Sequence, residues 1–202
     1  MTPTPTPEPC QETTGQVLRA TYLSATLKRE QVYRIYLPPC YAHPTHSDRR
    51  YPVLYVIHGS NSDDAHWDTL GITRTADAGL AAGALPPMII VMPSADPDLY
   101  LRTSGGEQSF EGLMVNDLIP FIDRTYRTDP RREARAIGGI SRGGVWSLEI
   151  GFRHPELFYA VGGHSAALNV NLAGPVYDPI YLAAAPGIKS LEIYLDVGDV
   201  DY

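Results

Sequence analysis

Residues 138–144 read Gly-Gly-Ile-Ser-Arg-Gly-Gly, and they contain the pattern Gly139-x-Ser141-x-Gly143. An apolar run over 134–140 predicts a strand that leads straight into Ser141, and apolar residues at helical spacing follow it. A sharp strand-to-helix turn exposes a serine hydroxyl at the end of a sheet, and flanking glycines remove side chains that would clash there. The stretch therefore predicts a nucleophilic serine on a strand-turn-helix unit.

Strands and helices alternate from residue 52 onward, which is typical of a parallel sheet with right-handed crossovers. Continuous apolar runs of this kind indicate strands that are buried on both faces. We predict such strands over 53–57, 88–92, 134–140, 157–162 and 191–197.

The remaining elements complete an α/β fold. Helical spacing predicts helices over 75–82 and 110–126, with a kink or break at Pro120, and a helix after Ser141 that His154 closes. Alternating residues over 17–27 and 32–37 predict an antiparallel pair. We therefore expect a mostly parallel, twisted sheet with helices on both faces and antiparallel N-terminal strands.

The composition fits a single globular domain and excludes some classes of partner. A chain of 202 residues is long enough to bury a substantial core. Its net charge of −7, without a cluster of Lys and Arg, argues against binding to nucleic acid or to an anionic membrane surface. The sequence shows no apolar run of the ~20 residues that would span a bilayer, and no secretory signal is visible after Met1.

The N-terminal segment differs from the rest of the chain. Residues 1–15 alternate Thr and Pro at their start, which predicts an extended, disordered tail before a domain over 16–202. This composition is common outside the cytoplasm, so we expect an extracytoplasmic location. Cys10 and Cys40 either pair, and pin the tail to the strand that ends near Pro38, or are two unrelated thiols.

Ligands of open α/β sheets bind beyond the carboxyl ends of the strands, so the residues there are the candidates for chemistry. His58, Gly59 and Ser60 follow the strand over 53–57. We predict that the backbone amides of Ser60 and Arg142 form an oxyanion hole, the alternative for Ser60 being a loop residue without contacts. His58 is expected to shape the turn.

Several further motifs strengthen the assignment. They are Tyr51-Pro-Val-Leu-Tyr-Val-Ile-His-Gly59, Asp63-Asp64-x-x-Trp67, Asp117-Leu-Ile-Pro120 and His154-Pro-Glu-Leu-Phe158. With the Ser141 motif, they resemble the esterase D and enterochelin-esterase-like branch of the α/β-hydrolases, from about residue 17 to the C-terminus. That branch includes feruloyl, acetyl-xylan and siderophore esterases and the mycolyltransferases. The resemblance implies an α/β-hydrolase fold and a Ser-His-acid triad. By its residues, the segment 63–67 either fixes the oxyanion loop with Trp67 as part of the pocket wall, or is a surface loop with a solvated acidic pair.

The resemblance places the triad carboxylate in the loop after the strand over 191–197. Its spacing points to Asp201, with Asp199 as the second choice, whereas Asp196 lies early, within the strand. The alternative is a solvated acidic turn. A triad carboxylate accepts the imidazole N–H and stabilises the imidazolium.

The resemblance also places the triad histidine after the acid, and no histidine follows Asp201 in this sequence. All six histidines precede it, and His164 is the most plausible substitute because it follows a strand next to the elbow; we also place it in the substrate pocket. Either the chain is a fragment of a longer gene product, or the protein is naturally truncated at its C-terminus and impaired. In a naturally truncated protein, the apolar strand over 191–197 would form an unprotected sheet edge, and this favours the fragment.

Three hypotheses for function follow. The first is a serine carboxylic-ester hydrolase with an acyl-serine intermediate, weak or inactive as printed because its histidine is absent. The second is an acyltransferase of the mycolyltransferase type, and the third is a non-catalytic binding protein on a hydrolase fold. We expect a small-molecule or glycan-linked ester as substrate, with residues 101–109 as a further wall of the pocket, and no cofactor or metal.

Overall fold

The computed structural model describes residues 8–168 and 174–199. In this part of the chain, seven strands form one sheet in the order β1-β2-β4-β3-β5-β6-β7. The strands are β1 (Gln16–Leu23), β2 (Glu30–Leu37), β3 (Val53–Ile57), β4 (Ile89–Pro93), β5 (Arg135–Ile140), β6 (Ala160–His164) and β7 (Glu192–Asp196).

The strand directions confirm the predicted fold class. β1 pairs antiparallel with β2, and β2 pairs antiparallel with β4. From β4 to β7, every neighbouring pair is parallel. The carboxyl ends of these five strands therefore meet at one edge of the sheet, where the sequence places the candidate chemistry.

Helices connect the strands. They are α1 (His66–Thr69), α2 (Ile72–Ala81), α3 (Pro97–Arg102), α4 (Phe110–Gly112), α5 (Ile119–Thr125), α6 (Arg142–Arg153) and α7 (Pro179–Leu182), with 3₁₀ turns at Pro44–His46, Arg132–Ala134 and Pro186–Ser190. α1, α3 and α7 have six residues or fewer and carry no clear periodic signal. No helix in the described ranges has the length and apolarity that crossing a membrane requires.

The helix predicted over 110–126 is continuous but changes its winding in the middle. A π-helical segment, Leu113–Leu118, joins α4 to α5, and Pro120 lies in the first turn of α5. A proline lacks the N–H that an α-helix interior needs, and a π segment relieves that local mismatch. The helix therefore accommodates Pro120 where the sequence predicted a kink or a break.

Alternating residues of the central strands supply two cores, one on each face. Tyr55 and Ile57 of β3 belong to the larger core, to which α4, α5 and α6 contribute side chains. Val56 belongs to the smaller core, which includes Ala76 of α2 and Ile90 of β4. The sheet is thus covered on both faces at its centre, as predicted.

One part of the α2 face carries no helix among the described residues. Over β5 and β6 it presents small residues, which with Trp67 and Tyr194 line a cavity of about 420 Å³; we call this cavity the trough. β7 is the last strand of the described sheet, and it exposes Ile193, Tyr194 and Leu195. An apolar edge strand is a site where other chains can pair.

Two strands, β1 and β6, differ from the prediction by three residues or more at one end. β1 ends at Leu23 and does not reach residue 27. The chain turns there because Asp117 Oδ2 accepts hydrogen bonds from Ser24 Oγ at 2.6 Å and from the Thr26 N–H at 3.0 Å. β6 begins at Ala160 and reaches His164, whereas the sequence predicted 157–162. Phe158 is fully buried, but it precedes the strand, so apolarity alone misplaces the boundary.

The N-terminal segment is tied to the domain. Cys10 and Cys40 form a disulfide, which decides between the two alternatives for these residues. The backbone N–H of Gly15 also donates to Asp77 Oδ1 of α2 at 2.8 Å. Residues 1–7 of the predicted tail lie outside the described residues.

Candidate active site

Ser141 lies on a sharp turn between β5 and α6. It has φ 56° and ψ −119°, a conformation that residues other than glycine rarely adopt and that is costly unless the surroundings impose it. Its N–H donates to the His164 carbonyl at 2.9 Å, and its carbonyl accepts from the Ala167 N–H at 3.1 Å. The strained turn is therefore held from the β6 side by two backbone hydrogen bonds.

The two glycines of the motif allow α6 to approach the sheet. A Cβ on Gly143 would lie 2.4 Å from the carbonyl oxygens of Ile57 and His58 at the end of β3. A Cβ on Gly139 would lie 2.2 Å from the Gly143 carbonyl oxygen. Both contacts are with backbone, so no side-chain rotation relieves them. The pattern recognised in the sequence thus has a steric cause in the structure.

Arg142 follows Ser141 in the chain, and the turn that carries Ser60 lies close to Ser141 in space. Arg142 is the first residue of α6, where backbone N–H groups point away from the helix. A Cβ built on Gly59, directly before Ser60, would lie 3.7 Å from Ser141 Cβ. The Ser60 N–H has no hydrogen-bond partner among the residues that the structure describes. The backbone N–H groups of Ser60 and Arg142 are thus the candidate oxyanion donors beside Ser141.

Neighbouring groups fix the turn that carries Ser60. The Gly59 N–H donates to His66 Nδ1 at 3.4 Å. His58 is buried, and its Nε2 accepts from the Ala95 N–H at 3.1 Å while Nδ1 contacts the Gly59 carbonyl at 2.6 Å. Burial lowers the pKa of His58, which favours the neutral ring that these contacts need. The structure thus gives His58 contacts that shape the turn.

Asp64 and Trp67 hold the segment that follows. The buried Asp64 carboxylate pairs with Arg19 at 3.1 Å and with Arg34 at 3.4 Å, which ties the segment to β1 and β2. Trp67 Nε1 donates to the Ile57 carbonyl at 2.9 Å, and the Trp67 ring lies against His164 with 5.5 Å between centroids. Trp67 therefore lies between the end of β3 and the trough, at the place where a pocket wall is expected.

The Ser141 hydroxyl has no hydrogen-bond partner in the described ranges, so none of their histidines serves it as a base in this conformation. The imidazole of His154 pairs with Glu111 at 2.7 Å, away from the elbow. His164 lies beside the elbow, but its Nδ1 pairs with Asp196 Oδ2 at 2.8 Å. Asp201 lies outside the described residues, and Asp199 is exposed.

The His164–Asp196 pair was missed by sequence reasoning. The sequence placed Asp196 too early for a function, and it is indeed the last residue of β7. The register sets it directly opposite His164 at the end of β6. The hydrogen bond from His164 lowers the pKa of Asp196. A signal existed: His164 follows one predicted parallel strand and Asp196 lies near the end of the next, so both were expected at the same edge.

A second missed feature is the anchoring of the segment over 97–109. Arg142 Nε donates to the Tyr100 carbonyl at 3.2 Å, and Trp146 Nε1 donates to the same oxygen at 3.0 Å. The buried Tyr100 hydroxyl donates to the His58 carbonyl. The start of this predicted pocket wall is therefore bonded to the first turns of α6 and to the end of β3.

Two buried glutamates lie under this wall with opposite electrostatics. Burial opposes ionisation of Glu111, but hydrogen bonds from His154, Arg153 and the Gly106 N–H outweigh it and hold its pKa at about 2. Glu149 of α6 is 1% exposed, and its Oε1 has no hydrogen-bond partner among the described residues. Burial, with the Glu111 carboxylate as a second cause, raises the pKa of Glu149 to about 9.

Replacing Glu149 with glutamine is expected to flatten the dependence of stability on pH between about pH 5 and 9. An unfolded glutamate ionises near pH ~4.3, whereas folded Glu149 keeps its proton up to about pH 9. The unfolded state therefore binds fewer protons in this interval, so the stability of the parent protein falls with rising pH, by up to about 1.4 kcal/mol per pH unit. Urea unfolding at pH 5, 7 and 9 measures this slope.

The matched control is Glu30→Gln, on an exposed position of β2. We expect it to keep the slope of the parent protein. If Glu149→Gln also keeps that slope, Glu149 does not hold a proton in the folded state.

The chain belongs to a family of esterases. The profile of the family described as "Putative esterase" matches residues 24–202, which is most of the chain. A protein of Xylanibacter ruminicola named endo-1,4-beta-xylanase/feruloyl esterase is 31% identical over 149 residues, covering 71% of this chain and 20% of that protein. An esterase of Mycobacterium tuberculosis is 32% identical over 125 residues, covering 59% and 26% respectively. The chain thus spans about a fifth to a quarter of the length of these relatives.

Solved structures agree with the fold. The structure of a ferulic acid esterase superposes with a TM-score of 0.80 at 25% identity, covering 92% of this chain and 80% of that chain. The fold is therefore the α/β-hydrolase fold, as the sequence motifs indicated.

Proposed function

We propose that this chain is a serine carboxylic-ester hydrolase that acts through an acyl-serine intermediate at Ser141. The observation that carries this proposal is the strained turn of Ser141 between β5 and α6, with φ 56°. A strained backbone conformation persists only when the surrounding structure imposes it, and such residues cluster at active sites. Membership in the esterase family supports the same reaction class.

In the proposed reaction, Ser141 Oγ attacks the carbonyl carbon of an ester. The carbonyl oxygen becomes an oxyanion that accepts hydrogen bonds from the Ser60 and Arg142 amides. Each such donor contributes roughly 2.7–4 kcal/mol of transition-state stabilisation. The alcohol then leaves with a proton, and water hydrolyses the acyl-serine to free acid and serine.

Turnover that relies on the described residues alone is expected to be slow. The attack requires a base for the serine proton, and no described residue accepts a hydrogen bond from Ser141 Oγ. Removing one triad member leaves about 10³–10⁴-fold catalysis over water, from the oxyanion hole and binding. Esters with a good leaving group are therefore the suitable probes, because they need the least help from an acid or base.

We propose an aryl or glycan-linked ester as the substrate class. The relative from Xylanibacter ruminicola is named as a feruloyl esterase as well as a xylanase, which favours an ester that carries an aromatic acid. Trp67 offers a flat apolar face beside His164, and aromatic groups pack well against such faces.

The test is a single-turnover experiment with 4-nitrophenyl acetate at protein concentrations comparable with the substrate. We expect release of one equivalent of 4-nitrophenolate per protein, followed by slow formation of free acetate, also when methanol or glucose is added as an acceptor. 4-Nitrophenyl phosphate should remain intact. Transfer of most acetyl groups to the added alcohol would favour an acyltransferase, and the lack of any acetyl-protein would favour a non-catalytic binding protein.

A further inference from the structure

The segment after β6 contacts both backbone groups of Ser141. The Ser141 N–H donates to the His164 carbonyl at 2.9 Å, and the Ala167 N–H donates to the Ser141 carbonyl at 3.1 Å. We call residues 164–167 the elbow clamp. Because Ser141 has an unfavourable backbone conformation, its position depends on such contacts.

The elbow clamp is itself strained and depends on one carboxylate. Ser165 has φ 41°, a conformation that costs free energy for a residue with a side chain. Its N–H donates to the Asp196 carbonyl at 2.9 Å and lies 3.3 Å from Asp196 Oδ1. Asp196 Oδ2 holds His164 Nδ1 at 2.8 Å. Asp196 thus binds two consecutive residues of the clamp from the neighbouring strand.

Two aromatic rings pack against the His164 imidazole. Its centroid lies 5.5 Å from Trp67 and 5.4 Å from Tyr194. The Tyr194 hydroxyl also interacts with the Asp196 carboxylate and helps to lower the pKa of Asp196. The pair is therefore a packed unit, although both side chains are partly exposed. An isolated ion pair at the surface would not show this packing.

We infer that the His164–Asp196 pair positions the Ser141 nucleophile by holding the elbow clamp. His164 acts through its backbone carbonyl, which fixes the Ser141 N–H, and its side chain serves to anchor that carbonyl to Asp196. His164 is a positioning residue in this assignment and takes no proton from Ser141. The inference rests on the proposed function, because it concerns the placement of the proposed nucleophile.

Two substitutions at one position separate positioning from proton transfer. His164→Asn keeps an N–H donor close to the place of Nδ1 and can still bind Asp196, whereas His164→Leu cannot. We expect His164→Leu to lower the rate of Ser141 modification by a fluorophosphonate about tenfold. His164→Asn should retain the parent rate within about threefold. Loss of the reaction in both variants would overturn the inference, because it would make the imidazole itself the base.

A second measurement does not depend on reactivity. Hydrogen exchange of the Ser141 amide should be about tenfold faster in His164→Leu than in the parent protein, and close to the parent rate in His164→Asn. The amides of Leu54 and Ile90, paired between β3 and β4, should exchange as before. Unchanged protection of Ser141 in His164→Leu would overturn the inference. Failure of the parent protein to react with any fluorophosphonate would count against the proposed function alone.

Discussion

Gly139→Ala is expected to lower the free energy of unfolding by more than about 4 kcal/mol, or to prevent folding. The new Cβ would lie 2.2 Å from the Gly143 carbonyl oxygen and 2.7 Å from Ser147 Oγ. Both atoms belong to α6, so relief requires moving the helix away from β5. Since Ser141 connects these two elements, the same movement would displace the elbow.

Gly138→Ala is the matched control, one position earlier in the same strand. Its side chain would point into the trough, where the nearest heavy atom is the Gly162 carbonyl oxygen at 3.6 Å. We expect a change of less than about 1 kcal/mol. Urea unfolding compares the two variants, and soluble yield with far-UV circular dichroism compares them if the first does not fold. Equal stabilities would contradict the close approach of α6 to β5.

Ser141→Ala is expected to remove the covalent adduct with a fluorophosphonate, with a loss of at least about 10³-fold in the rate of labelling. Oγ forms the bond to phosphorus, so its removal acts whether or not a base is present. Steady-state ester turnover would be a poorer measure. The effects of losing single triad residues on turnover are strongly non-additive, so a small change in turnover would not exclude Ser141.

Two neighbouring serines provide controls for this variant. Ser60→Ala keeps the backbone N–H that is the proposed oxyanion donor, and Ser165→Ala keeps both of its backbone bonds to Asp196. Both variants should be labelled at close to the parent rate. Persistence of the adduct in Ser141→Ala would identify a different nucleophile and remove the basis of the proposed function.

The fold could be predicted from the sequence where one local signal decides the structure. The strand over 53–57 has the bounds of β3, because its apolar run is flanked by a proline and a His-Gly pair. The glycine pattern around Ser141 predicted the strand-turn-helix unit, because the close approach of α6 leaves no room for side chains at Gly139 and Gly143. In both cases the local sequence and the packing favour the same structure.

Other features could not be predicted, because packing between distant segments decides them. The His164–Asp196 pair joins residues 32 positions apart, and its geometry depends on the register of β6 against β7. The ionisation of Glu149 depends on burial under the segment that follows α3, which one glutamate in a helix does not reveal.

The trough and the exposed edge of β7 bear on how the protein behaves in solution. The described part of β7 carries Ile193 and Leu195 at an unpaired strand edge, and such an edge favours association with other chains. Gly138 and Gly162 line the trough, and a Cβ on either residue would lie no closer than 3.6 Å to another atom. Because the β7 edge favours association, the experiments on the variants above require protein that is shown to be monodisperse.

The most direct test of the proposed active site is a crystal structure of the protein after reaction with a fluorophosphonate. We expect phosphorus bonded to Ser141 Oγ, and the phosphonyl oxygen about 2.7–3.1 Å from the amide nitrogens of both Ser60 and Arg142. Phosphorus on any other residue, or a phosphonyl oxygen directed away from these two amides, would contradict the account.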